Sequence, residues 1–280
     1  MYFYHGWIYS GSVYQGNVSY WNADSFYCGD MALVVSARGT RAAKRFFLSS
    51  YDKEKNKNEE CMNESKLYEL KSNDYFDNVR NDILSLLPRK INRLLEVGCG
   101  SGNTLNYIKN NYRCDWTCGV ELFHKAAAMA RSKVDLVIEG DIENLDLPIE
   151  PATLDVILCL DVLEHLIDPW EVISKLEIFL KPGGVLITSI PNVRRFSIVL
   201  PLIFQGKWEY ANEGILDRTH LRFFTQSTAI KLVESSGLKI DMIKETGFER
   251  GSKTRVANLA TLAIFKHFLA AEYLIRAQKI

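Results

Sequence analysis

Ile91-Asn92-Arg93-Leu94-Leu95-Glu96-Val97-Gly98-Cys99-Gly100-Ser101-Gly102-Asn103-Thr104 carries the strongest pattern in this 280-residue chain. Leu94, Leu95 and Val97 make a short apolar run that stops abruptly at Gly98, Gly100 and Gly102. A buried strand that enters a glycine-rich turn and then a helix fits this pattern. Glycine at such a turn lets the backbone take positive φ and come close to a ligand, because no Cβ intervenes. The turn lies at the carboxyl end of its strand, where open α/β sheets bind ligands.

The glycine spacing narrows the ligand. A dinucleotide fingerprint, G-x-G-x-x-G, needs a third glycine where this chain has Asn103. The pattern present is Glu96-x-Gly98-x-Gly100-x-Gly102. A plain tight turn would explain the glycines alone, and only the downstream spacing weakens that alternative. The pattern resembles motif I of the class I S-adenosylmethionine (SAM)-dependent methyltransferases. The resemblance implies that Glu96 receives the cationic amino group of the methionine part of SAM, which carries no phosphate.

Downstream, strand and helix patterns alternate. Gly102–Asn110 reads as a helix and Trp116–Glu121 as the second strand, with Glu121 placed 23 positions beyond Gly98. An acid there can accept both hydroxyls of a ribose; a solvated helix-start carboxylate is the bland alternative. His124–Lys133 reads as an alanine-rich helix and Val134–Ile138 as a third strand, ending in Glu139-Gly140-Asp141-Ile142. Asp141 can accept from an adenine amine while Ile142 packs on the ring. Leu154–Leu160 is continuously apolar, as a doubly covered parallel strand should be. Pro169–Leu180 is helical with proline in its first turn, Lys181-Pro182-Gly183-Gly184 is a turn, and Val185–Ile190 is a fifth strand. After an irregular stretch at 191–226, Ser227–Ser236 reads as a helix, Leu238–Lys244 as a strand, Ala257–Leu269 as a helix and Tyr273–Ala277 as a strand. Upstream, Tyr75, Phe76, Val79, Ile83, Leu86 and Leu87 share one helical face, with Asn73 as N-cap and Pro88 beyond the end. Such alternation predicts a parallel sheet wrapped on both faces.

The ordered set of Glu96 to Gly102, Glu121, Gly140-Asp141-Ile142, Leu154 to His165 and Leu180 to Gly184 looks like the motifs of a class I methyltransferase over about residues 67 to 280. The implied fold is α/β and Rossmann-like, a seven-stranded, mostly parallel sheet of order 3-2-1-4-5-7-6 with helices on both faces. Residues 271–278 would be the antiparallel seventh strand. The implied SAM site comprises Glu96, Gly98, Cys99, Gly100, Gly102, Glu121, Leu122, Asp141, Ile142 and Leu160. Ser189-Ile190-Pro191-Asn192-Val193 and Gly214 to Thr225 are similar to small-molecule methyltransferases linked with bacterial surface-polysaccharide assembly, and more distantly to the ubiquinone-pathway O-methyltransferases.

A hydroxyl acceptor needs its proton removed. His220 and His165 are candidate bases, since a near-neutral pKa suits the work. His220 binding a backbone carbonyl is an equal alternative, and for His165 a capping role is the stronger one. Asp161-x-x-Glu164-His165 resembles a metal motif of the ubiquinone-pathway enzymes, where Asp161 would be Glu. It makes an incomplete cation site, so the expectation is no metal. Arg194, Arg195, Arg218 and Arg222 are candidate acceptor ligands, because arginine forks match phosphate and carboxylate and the interleaved Phe196, Trp208, Tyr210, Phe223 and Phe224 can stack on sugars. The alternative is a folded lid whose arginines pair with Glu209, Glu213 and Asp217. The run Ile198–Phe204 reads as a short buried helix before a lipid contact.

Composition adds exclusions. Thirty-four basic and 34 acidic residues balance, and no basic stripe or Asn/Asp-Pro-Pro-Tyr motif asks for nucleic acid. The six cysteines have no clear zinc spacing; Cys114-x3-Cys118 reads as strand packing. No apolar run approaches a membrane span and no signal peptide opens the chain, so a cytoplasmic location is expected, with peripheral membrane contact left open. Residues 1–65 are an aromatic-rich extension and a polar linker ahead of a methyltransferase domain at 66–280. They are either an appendage or a stretch upstream of a true start at Met62, and the second is favoured because the resemblance begins after the linker. The expected activity is SAM-dependent methylation of a small-molecule, sugar-nucleotide or glycan acceptor. A noncatalytic SAM-binding scaffold and a nicotinamide-dependent oxidoreductase are the alternatives.

Overall fold

The computed structural model describes residues 78–248, 252–260, 262 and 264–280. The expected 1–65 extension, and the expected helix start at Asn73, Tyr75 and Phe76, lie outside the described residues. One sheet organises the rest. Its strands are β1 (Arg93–Val97), β2 (Trp116–Glu121), β3 (Leu136–Glu139), β4 (Leu154–Leu160), β5 (Leu180–Pro191), β6 (Lys239–Glu245) and β7 (Glu272–Gln278). They lie in the order β3-β2-β1-β4-β5-β7-β6, as the resemblance implied. Strands β1 to β5 pair in parallel and β7 runs antiparallel to both β5 and β6.

The two-residue period of β1 sorts its side chains between two cores. Leu94 joins one core with Leu105 and Ile108 of α1 (Asn103–Tyr112) and Ala130 of α2 (His124–Ala130). Leu95 and Val97 join the other, with Val172, Ile173 and Leu176 of α3 (Pro169–Glu177) and Leu232 and Val233 of α5 (Gln226–Glu234). Between them in the chain, α4 (Phe196–Gln205) follows β5. The same alternation puts Glu96 on the Leu94 side, beneath a 3-10 turn at Asn81–Leu86 whose Ile83 and Leu86 are buried.

Several expected boundaries move. Lys181-Pro182-Gly183-Gly184 is part of β5 rather than a turn before it, because Gly183 N donates to Lys279 O and Lys279 N to Gly184 O, each at 2.9 Å. The segment 191–226 is less irregular than its sequence. It contains α4, and that helix is not buried: none of its residues is buried, and Ile203 and Phe204 are 66% and 77% exposed. Instead of one helix over 257–269 there are two short ones, α6 (Lys253–Ala260) and α7 (Lys266–Leu269). Among the described residues no helix is long and apolar enough to cross a membrane.

Candidate functional site

The turn after β1 closes over the tip of β2. Gly98 N and Cys99 N both donate to Val120 O, at 2.8 and 3.1 Å. Gly98, Gly100 and Gly102 all have positive φ, at 68°, 55° and 77°. Gly98 has a second constraint, since a Cβ there would sit 2.5 Å from Val162 Cγ2. Gly119 in β2 is a glycine the sequence reading passed over. A Cβ on it would meet Cys99 Sγ at 2.4 Å. Cys99 therefore folds onto β2 and presents backbone rather than thiol to the crevice; burial raises its pKa well above the ordinary thiol range.

Three expected acids ring this turn in different states. Glu121 is buried and braces the turn, accepting from Gly100 N at 2.8 Å and from Phe123 N at 2.9 Å. Burial raises its pKa and these backbone donors oppose the rise. Asp141 accepts from Glu143 N at 2.9 Å and from Asn144 Nδ2, so its carboxylate organises the turn after β3. Glu96 is 3% exposed, and its Oε2 has no hydrogen-bond partner. Burial pushes its pKa up to about 8, with the Arg80 cation opposing and the Glu121 charge adding to the rise. Ile142 and Leu160 are buried in the two cores, whereas Leu122 at the tip of β2 is 39% exposed.

Arg80 is the site residue that sequence reasoning missed. Its guanidinium binds both Asp82 oxygens and Asp161 Oδ2, and lies 3.4 Å from Glu272 Oε2 and 3.2 Å from Ser189 Oγ. Burial works against its charge, but the Asp82 hydrogen bonds and the Asp161 and Glu272 charges hold the pKa above the ordinary arginine value. Asp161 itself has φ 54°, a left-handed conformation uncommon outside glycine. It is held there by Ser189, whose Oγ accepts from Asp161 N at 2.8 Å and donates to Asp161 Oδ1 at 2.7 Å. The sequence marks this position only through the Asp161-x-x-Glu164-His165 pattern; its left-handed backbone is visible in the structure alone.

Beyond Asp161 the chain makes a 3-10 turn, Leu163–His165, and meets the 214–225 segment. Leu221 N and Arg222 N both donate to Glu164 O, at 2.8 and 2.9 Å. That pair of bonds brings His220 to His165, with ring centroids 4.7 Å apart and edge-on. His165 Nδ1 lies 3.0 Å from Thr219 O, and His220 Nδ1 lies 2.9 Å from Ile215 O. A carbonyl can only accept, so both Nδ1 atoms carry hydrogen and Nε2 is the basic nitrogen. His220 Nε2 lies 3.9 Å from Glu164 Oε1. Glu164 is 1% exposed, neither carboxylate oxygen has a hydrogen-bond partner, and burial raises its pKa well above the ordinary value, with the Asp161 charge adding to it. One ligating atom from each of Glu164, His165 and His220 falls within 4.8 Å of the other two. The expected trio Asp161, Glu164 and His165 is thus recast: Asp161 is taken by Arg80 and Ser189, and His220 stands third.

The four arginines do not assemble. Arg194 Cζ stands 4.5 Å over the Phe268 ring, Arg195 is the N-cap residue of α4, Arg218 is exposed, and Arg222 donates to Ile167 O. Among the described residues none of the four makes an ion pair, so the alternative of a lid whose arginines pair with Glu209, Glu213 and Asp217 is not seen. Asp217 Oδ1 instead accepts from Thr219 N and Thr219 Oγ1 at 2.9 and 2.8 Å. Cys99, Cys114, Cys118 and Cys159 are buried free thiols, as strand packing requires.

The family model described as a methyltransferase domain matches residues 68–242. The chain belongs to that family. The relatives it resembles carry the names of methyltransferases with varied substrates. It is 31% identical over 114 residues to the trans-aconitate 2-methyltransferase of Rhizobium leguminosarum bv. trifolii, covering 40% of this chain and 43% of that protein. To the ubiquinone biosynthesis O-methyltransferase of Paracidovorax citrulli it is 25% identical, over 55% of this chain and 69% of the relative. A mouse tRNA N(3)-cytidine methyltransferase is 31% identical over 52% of this chain and 41% of its own length. This methyltransferase therefore spans less than half the length of two of these three relatives. A SAM-dependent methyltransferase from Archaeoglobus fulgidus shares the fold, with TM-score 0.54, 20% identity, and coverage of 74% of this chain and 95% of that one.

Proposed function

We propose that this methyltransferase transfers a methyl group to a hydroxyl oxygen of a small-molecule or saccharide acceptor, with His220 as general base. The observation that carries the reading is the cluster of buried Glu164 and His220 with half-buried His165 beyond the tip of β4, each imidazole oriented through Nδ1. In this reading Glu96 receives the amino group of SAM, Glu121 the ribose and Asp141 the adenine, over a floor made by Gly98, Cys99, Gly100 and Gly102. Leu122 covers one face, and Ile142 and Leu160 form the wall behind. The unpartnered Glu96 Oε2 beside a turn of bare backbone fits a cationic ligand. Bound SAM supplies a methyl carbon on a sulfonium, already activated for in-line displacement. The chain's task is to hold the acceptor collinear with it, a form of positioning worth effective molarities of roughly 10⁵ M or more. His220 Nε2 takes the hydroxyl proton as the oxygen acquires the methyl group, and Glu164 faces the imidazolium that results. Arg194, Arg195, Arg218 and Arg222 stand as acceptor contacts on separate elements, which suits an extended acceptor better than a single phosphate.

A second reading has its own support. Glu164, His165 and His220 offer one carboxylate and two oriented imidazoles, a donor set suited to a divalent transition metal. A cation held there would orient the acceptor hydroxyl and lower its pKa. One experiment tests both. The full chain is incubated with radiolabelled SAM and panels of sugar nucleotides, lipid-linked glycans, phenolic acids and tRNA, before and after dialysis against a chelator. Transfer to a glycan or small hydroxyl compound supports the proposal, and transfer to tRNA alone overturns it. Activity lost on chelation and restored by a divalent metal favours the second reading, whereas retained activity dismisses it.

A further inference from the structure

Helix α4 shows its apolar side to solvent. Leu200, Ile203 and Phe204 are spaced i, i+3, i+4, so they share one face, and they are 42%, 66% and 77% exposed. Phe196 begins the same stripe one turn earlier, where it is covered: it stacks on Phe268 at 4.9 Å between centroids and meets Phe265 at 5.7 Å. Phe265 opens a second exposed apolar group. Val256, Leu259, Leu262 and Ile264 are 64%, 67%, 86% and 74% exposed. A patch of this kind exceeds the scattered single residues that ordinary surfaces show.

Charge says what covers it. From Val193 to Trp208 the chain carries Arg194, Arg195 and Lys207 and no acid. From Ser252 to Lys266 it carries Lys253, Arg255 and Lys266 and again no acid. Lys266 is paired with Glu245, while Lys207, Lys253 and Arg255 are exposed. In a chain whose charges balance overall, an apolar surface whose own segments carry cations and no acid, the nearest exposed acid being Glu209 just past Trp208, matches an anionic lipid bilayer, with apolar side chains entering the acyl boundary and cations meeting headgroups.

We infer that α4, together with the exposed Lys253, Arg255, Val256, Leu259, Leu262 and Ile264, forms a peripheral docking face for an anionic membrane. Neither helix is long enough to span the bilayer, so docking is reversible and salt-sensitive. The face follows β5 directly in the chain, at the carboxyl edge of the sheet where the SAM crevice opens. The inference does not depend on which acceptor is methylated.

The test is sedimentation of the full chain with vesicles of phosphatidylcholine, with and without about 30% phosphatidylglycerol. Binding to the anionic vesicles only, and its loss in about 0.5 M salt, is expected. The double variant Ile203→Glu, Phe204→Glu changes two exposed side chains and should melt like the wild type while its vesicle partition falls at least about tenfold. Lys253→Glu with Arg255→Glu should lower it by about the same factor. Equal sedimentation of wild type and variants, or equal binding to both vesicle types, overturns the inference. So does a dimer in solution that Ile203→Glu, Phe204→Glu dissolves while vesicles are ignored, because the occupant is then a second copy.

Discussion

Replacing Glu96 by glutamine gives the sharpest test of how the crevice is built. In the absence of ligand the folded protein encloses this carboxyl, and burial pushes its pKa from the ordinary 4.5 up to about 8. A carboxyl whose pKa is raised on folding binds its proton more tightly in the folded state than in the unfolded one. Its contribution to stability is therefore fully present below pH 4.5 and is lost as pH rises through 8. At about 1.4 kcal/mol per pH unit, the interval between the two values corresponds to roughly 5 kcal/mol, an upper figure since the folded site can relax. Glu96→Gln removes the titration. Urea unfolding of ligand-free protein at several values between pH 5 and pH 9 should show the wild type losing stability relative to Glu96→Gln, with the variant ahead by a few kcal/mol at the alkaline end. On the proposed assignment, the amino group of bound SAM is the missing partner of the ionised form. Calorimetry in buffers of different ionisation enthalpy should therefore report close to one proton released on binding to wild type near pH 7, and none with Glu96→Gln. A stability difference that stays constant across this pH range, or proton release unchanged in the variant, would refute the assignment.

Three further outcomes follow from the same geometry. Gly98→Ala puts a methyl group 2.5 Å from Val162 Cγ2 at a φ of 68°, and should lower stability by roughly 1–3 kcal/mol and weaken SAM binding, read by melting and titration. Arg80→Met strands Asp161 and Asp82; with its side chain 21% exposed the loss should be about 2–3 kcal/mol in urea unfolding, and Arg80→Lys should recover only part because it lacks the fork. His220→Ala should lower kcat by about 10²–10⁴ while the SAM dissociation constant stays within about twofold; unchanged kcat would return His220 to a purely structural role.

What the sequence made legible was set by locality. Strands β2 and β4 appear at their expected bounds because each is a compact apolar run with clear punctuation. The glycine turn was readable for the same reason, since its three glycines are nearly contiguous, although Gly119, Val120, Glu121 and Val162 shape it from elsewhere in the chain. Glu164 and His220 belong to one cluster only because Leu221 and Arg222 donate to the Glu164 carbonyl, and no periodicity spans that separation. Arg80 was hidden in another way. It reads as one polar position in a helical face, and its meaning comes from Asp161, Ser189 and Glu272, which reach it from three different strands or their ends. Helix α4 was foreseen as a helix and misjudged as buried, because apolar content says that a segment avoids water and not what it will be covered by.

The position of β7 has a consequence for how the protein is made. This strand fills the place between β5 and β6, and Tyr273, Leu274, Ile275 and Ala277 are fully enclosed there. A ribosome delivers β6 first, when the slot beside β5 is still empty and β6 has nothing to pair with. The nascent platform of five parallel strands must therefore wait with one bare flank until residues 272–278 leave the exit tunnel, an interval in which open strand edges invite sticking and in which holdase chaperones have most to protect.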